Sequence, residues 1–130
     1  MEFPPQLRYT TSDEWLHVQG REGVVGITDH AQDQLGDIVF VELPEIGRQV
    51  KRGEAFGVIE SVKAVCDLHT PVDGEVIARN DALTDAPELV NRSPYADGWM
   101  IRLRLSDPAQ ATELRDAAAY QAALPAAPAH

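Results

Sequence analysis

The chain has 130 residues, 44% hydrophobic and 25% charged, a size and composition that suit one domain able to bury its own core. A net charge of −10 repels phosphate backbones and anionic lipid headgroups, which argues against nucleic acid and membrane surfaces as partners. The single cysteine, Cys66, excludes an internal disulfide and any multi-cysteine metal site.

No stretch approaches the roughly 18 apolar residues of a membrane-crossing helix. Met1-Glu2-Phe3-Pro4-Pro5 has neither the basic-then-apolar character of a signal peptide nor the Arg/Ser bias of a transit peptide. The expected setting is therefore intracellular, most simply the bacterial cytoplasm, with a processed chain of the mitochondrial matrix as the other option.

Residues 1–8 read as a loose arm. Leu16 to Gln19 and Val24 to Ile27 flank a Gly-rich turn and predict a hairpin. Thr28 is placed to cap a short helix that buries Ala31 and Leu35, with Gly36 ending it. Asp37 to Leu43 is β-branched and aromatic, hence a strand. A short strand around Val50 follows, then a strand from Ala55 to Ile59, a turn at Lys63, and a returning strand from Val65 to Leu68. Glu75 to Arg79 alternates as another strand.

Thr84 to Val90 predicts a capped helix with Pro87 in its first turn. Trp99 to Leu105 alternates strictly, the mark of a half-buried strand. Asp107-Pro108-Ala109-Gln110 reads as a capping box, opening a helix over about 107–123 that buries Leu114, Ala118 and the edge of Tyr120 or Gln121. Residues 124–130, with Pro125 and Pro128, read as a frayed tail. The pattern predicts a mainly β fold, a small barrel or sandwich with short helices, in one domain over 1–130.

Gly36-Asp37-Ile38-Val39 echoes Gly74-Glu75-Val76-Ile77, and the two copies straddle Lys63. Two facing β units would put Lys63 on the turn that joins them. The chemistry elsewhere is sparse. His17, His30, His69 and His130 lack metal-ligand spacing, and no nucleophile or phosphate-loop motif is present. Cys66, beside Val65 and Leu68, reads as a small core residue. Trp99 reads as core or lid, and Trp15 is left open by its neighbour Glu14. Glu14 and Asp67 could form an acid–base pair only if the fold brings them together. Lys63 is one of two lysines, with small or aliphatic neighbours that leave its amine accessible to an enzyme.

Glu60-Ser61-Val62-Lys63-Ala64, followed by Asp67, Pro71, Gly74, Val76 and Asn80, resembles the lipoyl-attachment motif of glycine cleavage system H proteins. Tyr9-Thr10, Glu14-Trp15, Gly26-Ile27-Thr28, Ala31-Gln32 and Leu35-Gly36-Asp37-Ile38-Val39 resemble earlier blocks of that family. Pro87, Leu89, Asn91, Pro94-Tyr95 and Gly98-Trp99 resemble its C-terminal block. The resemblance implies a barrel-sandwich hybrid fold of the lipoyl/biotinyl type and lipoic acid amide-linked to Lys63. Biotin carriers usually set Met on both sides of the lysine, whereas Val62 and Ala64 stand here.

The implied role is a non-catalytic carrier. It would take the aminomethyl group of glycine from a pyridoxal-phosphate glycine decarboxylase to a tetrahydrofolate-dependent aminomethyltransferase. Dihydrolipoamide dehydrogenase and a lipoate-attaching enzyme are the further partners implied. Ser12, Glu14 and Asp67 match positions that hold the loaded arm in a cleft. Asp13 departs from the histidine common at that position. The alternative expectation is an H-like lipoyl carrier or relay serving another pathway. A free-standing enzyme using Glu14, Asp67 or Cys66, and an unmodified interaction module, are the bland rivals.

Overall fold

The computed structural model describes residues 1–124. Its strands are β1 (Arg8–Tyr9), β2 (Glu14–Gln19), β3 (Glu22–Ile27), β4 (Ile38–Glu42), β5 (Gln49–Val50), β6 (Ala55–Ser61), β7 (Val65–His69), β8 (Gly74–Arg79) and β9 (Ile101–Leu105). They form one sheet in the order β1-β2-β3-β9-β8-β5 and another in the order β4-β6-β7. Every strand pair within them is antiparallel. The two β units of the sequence echo thus fall in different sheets, β4 in the smaller and β8 in the larger.

Alternation builds the core. On β9, Ile101, Leu103 and Leu105 point inward while Arg102 and Arg104 face solvent. They join Val25 and Val76 of the large sheet and Val41, Ile59 and Leu68 of the small one in a single apolar cluster. Burying each such side chain contributes about 1.5–3 kcal/mol. Trp15 is buried in a second cluster, donating from Nε1 to the Pro94 carbonyl at 3.0 Å. Gly26 lies opposite Trp15 in the β2–β3 ladder, and a Cβ there would stand 2.7 Å from the indole ring. Glycine is required by that close approach.

The helix between β3 and β4, α1 (Asp29–Leu35), is the one the sequence predicts. Thr28 Oγ1 accepts from the Ala31 amide at 3.1 Å, and Gly36 closes it at φ 77°.

Four expectations are corrected. The arm 1–8 is docked: Leu7 is buried, and the Glu2 amide donates to Asp29 Oδ2 at 3.0 Å. Tyr95 and Tyr9 hydroxyls donate to the carbonyls of Glu2 and Pro4, at 2.7 and 2.6 Å. Phe3 packs edge-on against Tyr120 at 5.7 Å. Apolar and aromatic anchors here offset the entropy of ordering the arm.

The single helix expected at 84–90 is two one-turn helices, α2 (Ala82–Asp85) and α3 (Leu89–Arg92), with Pro87 between them. Neither Thr84 nor Asp85 caps a helix there; both lie inside α2.

The helix expected over 107–123 is also divided. A 3₁₀ segment (Pro108–Glu113) ends at an extended Leu114, and Asp116 caps a separate α4 (Ala117–Ala123). Between them Arg115 exchanges backbone hydrogen bonds with Tyr9, at 2.8 and 3.0 Å, so the chain leaves the helix to extend the sheet edge. Asp107 caps its amide as expected, but Gln110 turns away and grips Asp73 through two hydrogen bonds. Tyr120 is buried and Ala118 exposed. Of the tail, residues 125–130 lie outside the described residues.

Cys66, expected in the core, is exposed, because the edge strand β7 carries it past the apolar cluster.

Candidate functional site

The β6–β7 ladder ends at the pair Glu60–Val65, and Ser61 to Ala64 makes the tip. Ser61 turns the chain. Its amide donates to the Ala64 carbonyl at 2.8 Å, and its Oγ accepts from the amides of Lys63 and Ala64 at 3.3 and 3.1 Å. Val62 donates from its amide to the Asp37 carbonyl at 3.0 Å, which moors the tip to the start of β4.

That mooring point is itself held. Asn91 accepts from the Ile38 amide at 2.9 Å and donates to the Gly36 carbonyl at 2.9 Å. The tip is therefore rigid at its base. Lys63 is exposed at its end, between Val62 at 69% and Val65 at 64% exposure. Its stem passes Gly36, where a Cβ would stand 3.7 Å from Lys63 Cε. The other lysine, Lys51, lies in the Lys51–Glu54 turn beside Arg52, away from any strand tip.

A second group of residues forms where β2 begins. Glu14 is 2% exposed. Thr10 Oγ1 donates to its Oε1 at 2.8 Å, Ser12 Oγ donates to the same oxygen, and the His69 amide donates to Oε2 at 3.2 Å. The His69 ring Nδ1 stands 3.9 Å from Oε2. Burial pushes the Glu14 carboxyl above its ordinary value, and the bonds from Ser12, Thr10 and His69 pull the other way. Such a carboxyl has oxygens already placed, and a cation arriving beside it relieves the cost of its burial.

The structure brings Ser12 and Glu14 together and adds Thr10 and His69, which the sequence reading had not singled out. Thr10-x-Ser12-x-Glu14 carries a readable signal, hydroxyls two and four positions before a carboxylate. His69 carries none, being 55 positions away. Asp67 does not join the Glu14 hydrogen bonds. It is exposed opposite Val58, two positions nearer the tip than His69, and borders a groove with Glu42, Pro44 and Arg48. Glu60 pairs with Phe40 and Val65 across the small sheet. A separate groove of about 250 Å³ opens beside Ser12 and His69, with Arg52 and Arg115 on its rim.

Among the described residues, no group of three His, Cys, Asp or Glu side chains could hold a metal ion. No helix there is long and apolar enough to cross a membrane.

A two-sheet β fold that carries an exposed lysine on a hairpin tip moored at its base has the form of a carrier, a protein that presents a group to other enzymes. Comparison with known proteins identifies the kind of carrier. The family described as Glycine cleavage H-protein matches residues 7–126. The glycine cleavage system H protein of Anaeromyxobacter sp. strain K is 57% identical over 122 residues, 94% of this chain and 95% of that one. That of Chromohalobacter salexigens is 58% identical over 121 residues, 92% of each chain. The crystal structure of an H protein from Mycobacterium marinum superposes with a TM-score of 0.83 at 36% identity, covering 94% of this chain and all of that one.

The chain belongs to the glycine cleavage H-protein family. It is a non-catalytic, lipoate-bearing carrier of the glycine cleavage system, with the barrel-sandwich hybrid fold. Its partners are the decarboxylase, the aminomethyltransferase and the lipoamide dehydrogenase between which it shuttles.

Proposed function

We propose that Lys63 is the residue that carries the lipoyl group, and that Ser12 and Glu14, with Thr10 and His69, form the cleft that shelters the loaded arm, with Asp67 as an outer carboxylate beside the neighbouring groove. The observation that carries the first assignment is the tip itself: Ser61 fixes the turn through its amide and its hydroxyl while Lys63 stays exposed. The residues fit the group. Lys63 is exposed with its Cε beside Gly36, and its small and aliphatic neighbours Val62 and Ala64 leave the amine accessible to the attaching enzyme. Glu60, Ser61, Val62 and Ala64 are the local frame that enzyme reads.

The attached lipoyl group would supply a sulfur that accepts the aminomethyl carbon and later releases it. The chain's own residues do the remainder. Ser61 and Asn91 keep the base of the arm fixed, so that the arm's reach is set by the hairpin. Glu14 holds an ammonium by charge-assisted hydrogen bonding, with Thr10 and Ser12 fixing its orientation. Asp67 offers an outer carboxylate on the same strand as His69, about 7 Å along it. Holding the ammonium inside the fold keeps water from the labile carbon–nitrogen bond.

The whole chain acts as one carrier domain. The bacterial relatives support the bacterial cytoplasm as its setting, which fractionation of the native cells tests.

Intact-mass and peptide mapping test the attachment residue. Lys63→Arg keeps the charge but lacks the acylable amine, so the lipoyl mass should vanish entirely with Tm unchanged. Lipoyl mass found on Lys51 would overturn the assignment. The cleft has its own test. Glu14→Ala should speed hydrolysis of the loaded carrier by about tenfold or more. An unchanged rate removes Glu14 from the cleft.

A further inference from the structure

Asp13 sits between Ser12 and Glu14, and it is the one non-glycine residue with positive φ, 71°, among the described residues. That conformation is unfavourable for an L-residue unless its surroundings hold it. Three contacts do so. Its amide donates to the Thr10 carbonyl at 3.3 Å, its carbonyl accepts from the Thr28 amide at 2.9 Å, and its carboxyl oxygen accepts from Tyr120 at 2.8 Å.

Tyr120 comes from α4, at the other end of the chain. It is fully buried, stacked on Tyr9 at 4.8 Å, with Phe3 against its edge. Its hydroxyl also lies 2.8 Å from Thr28 Oγ1. The proton positions follow from the partners. A carboxylate only accepts, so Tyr120 donates to Asp13. The Tyr120 oxygen then accepts the Thr28 proton, while Thr28 Oγ1 accepts from the Ala31 amide. Every hydrogen in this chain of bonds, buried at Thr28 and Tyr120 and half-buried at Asp13, has a place. It joins the C-terminal helix, the N-terminus of α1 and the turn before β2.

We propose that Tyr120 is a positioning residue for the Glu14 site: through Asp13 it fixes the left-handed turn that aims Ser12 and Glu14 into the cleft. The C-terminal helix is then part of the cleft's machinery rather than a cover on the sandwich. The functional consequence rests on the reading of Glu14 as the sheltering carboxyl; the geometric claim does not. Hydroxyl loss at Tyr120 leaves the Thr28 proton and the Asp13 carboxyl unpaired and frees the turn to relax. Glu14 then gains water and loses the aligned His69 amide.

The test uses full-length, unlipoylated protein, following the Glu14 side-chain carboxyl by NMR titration and the His69 amide by hydrogen exchange. Tyr120→Phe keeps the stack and removes only the hydroxyl. Its Glu14 midpoint should fall toward the ordinary carboxyl value, and His69 exchange should quicken by about tenfold. Tyr9→Phe is the control. It removes a hydroxyl from the same stack, one bonded to the Pro4 carbonyl, and should leave both readouts at the parent values. Asp13→Asn keeps an acceptor and tolerates positive φ, so it should match the parent, while Asp13→Ala should match Tyr120→Phe.

Parent-like titration and exchange in Tyr120→Phe overturn the proposal. So does an equal shift in Tyr9→Phe, which would reduce the effect to general loosening of the aromatic stack. If Tyr120→Phe moves Glu14 while Glu14→Ala leaves hydrolysis unchanged, the positioning role stands and the cleft reading fails.

Discussion

Glu14 is buried against two hydroxyls and an amide, and that balance ties the fold to pH. Its carboxyl is raised above the ordinary 4.5, so the folded chain keeps the proton to higher pH than the unfolded chain does. Between 4.5 and the raised value the native state binds more protons, so stability falls as pH rises through that window. The contribution is whole below 4.5 and is lost above the folded value. Asp73 runs the opposite way. The Arg52 amide and Gln110 lower its carboxyl below 3.8, giving stability that is present above 3.8 and lost as pH falls. Glu14→Gln can preserve the bonds, since the hydroxyls of Thr10 and Ser12 can rotate to accept from an amide. The variant should gain stability relative to the parent as pH rises from about 4 to about 8, by about 1.4 kcal/mol for each unit of the raise. Thermal melts across that range measure it, and parallel curves would contradict it. The sequence made part of this visible. Thr10, Ser12 and Glu14 are close neighbours in the chain, so their spacing is readable. Neither the His69 amide nor the Tyr120 hydroxyl leaves a local trace, because each arrives from a distant element.

At the scale of elements, periodicity was a good guide where one element packs by itself and a poor one where ends of the chain meet. The alternation of β9 and the Thr28 and Gly36 caps of α1 depend on neighbours within a few positions. The C-terminal helix breaks because Arg115 pairs with Tyr9, and no local spacing encodes that partner. The docked arm was hidden for the same reason: Leu7 and Tyr9 look isolated until α4 and Trp15 supply the other walls of their cluster. Lys63 sits on the small sheet, whose close pairing sets the hairpin's direction. Gly57 on β6 allows it. A Cβ there would collide with the Glu42 backbone carbonyl on β4, at a point where the β6–β7 register is already irregular. Gly57→Ala should therefore destabilise by about 2–4 kcal/mol, the range of overpacking with loss of backbone pairing. Gly20→Ala meets open space and suffers only from its positive φ of 65°, so it should cost about 1 kcal/mol. Urea unfolding of the two variants separates them, and equal losses would show that the β4–β6 approach is not the constraint.

For the whole molecule, charge acts on the fold and on its encounters in opposite senses. A net charge of −10 on 130 residues repels itself, so the compact state is strained at low salt and relaxed as counterions screen it. The same field attracts basic surfaces from a distance and hastens encounter with them. A carrier that moves among a decarboxylase, an aminomethyltransferase and a dehydrogenase gains from this. Steering quickens arrival without deepening the bound state, so departure stays fast enough for the next visit. Raising salt from about 0.05 M to about 0.5 M shortens the screening length from over 10 Å to under 5 Å. The Tm of the carrier alone should then rise, while its association rate with the partner enzymes should fall by about tenfold or more, with dissociation nearly constant. Calorimetry of the isolated protein and stopped-flow mixing with a purified partner read the two effects separately. A Tm that climbs beside a salt-independent association rate would leave the charge as a solubility device alone. A falling rate with constant dissociation would tie the acidic composition, the first feature legible in the sequence, to the traffic that the Lys63 tip serves.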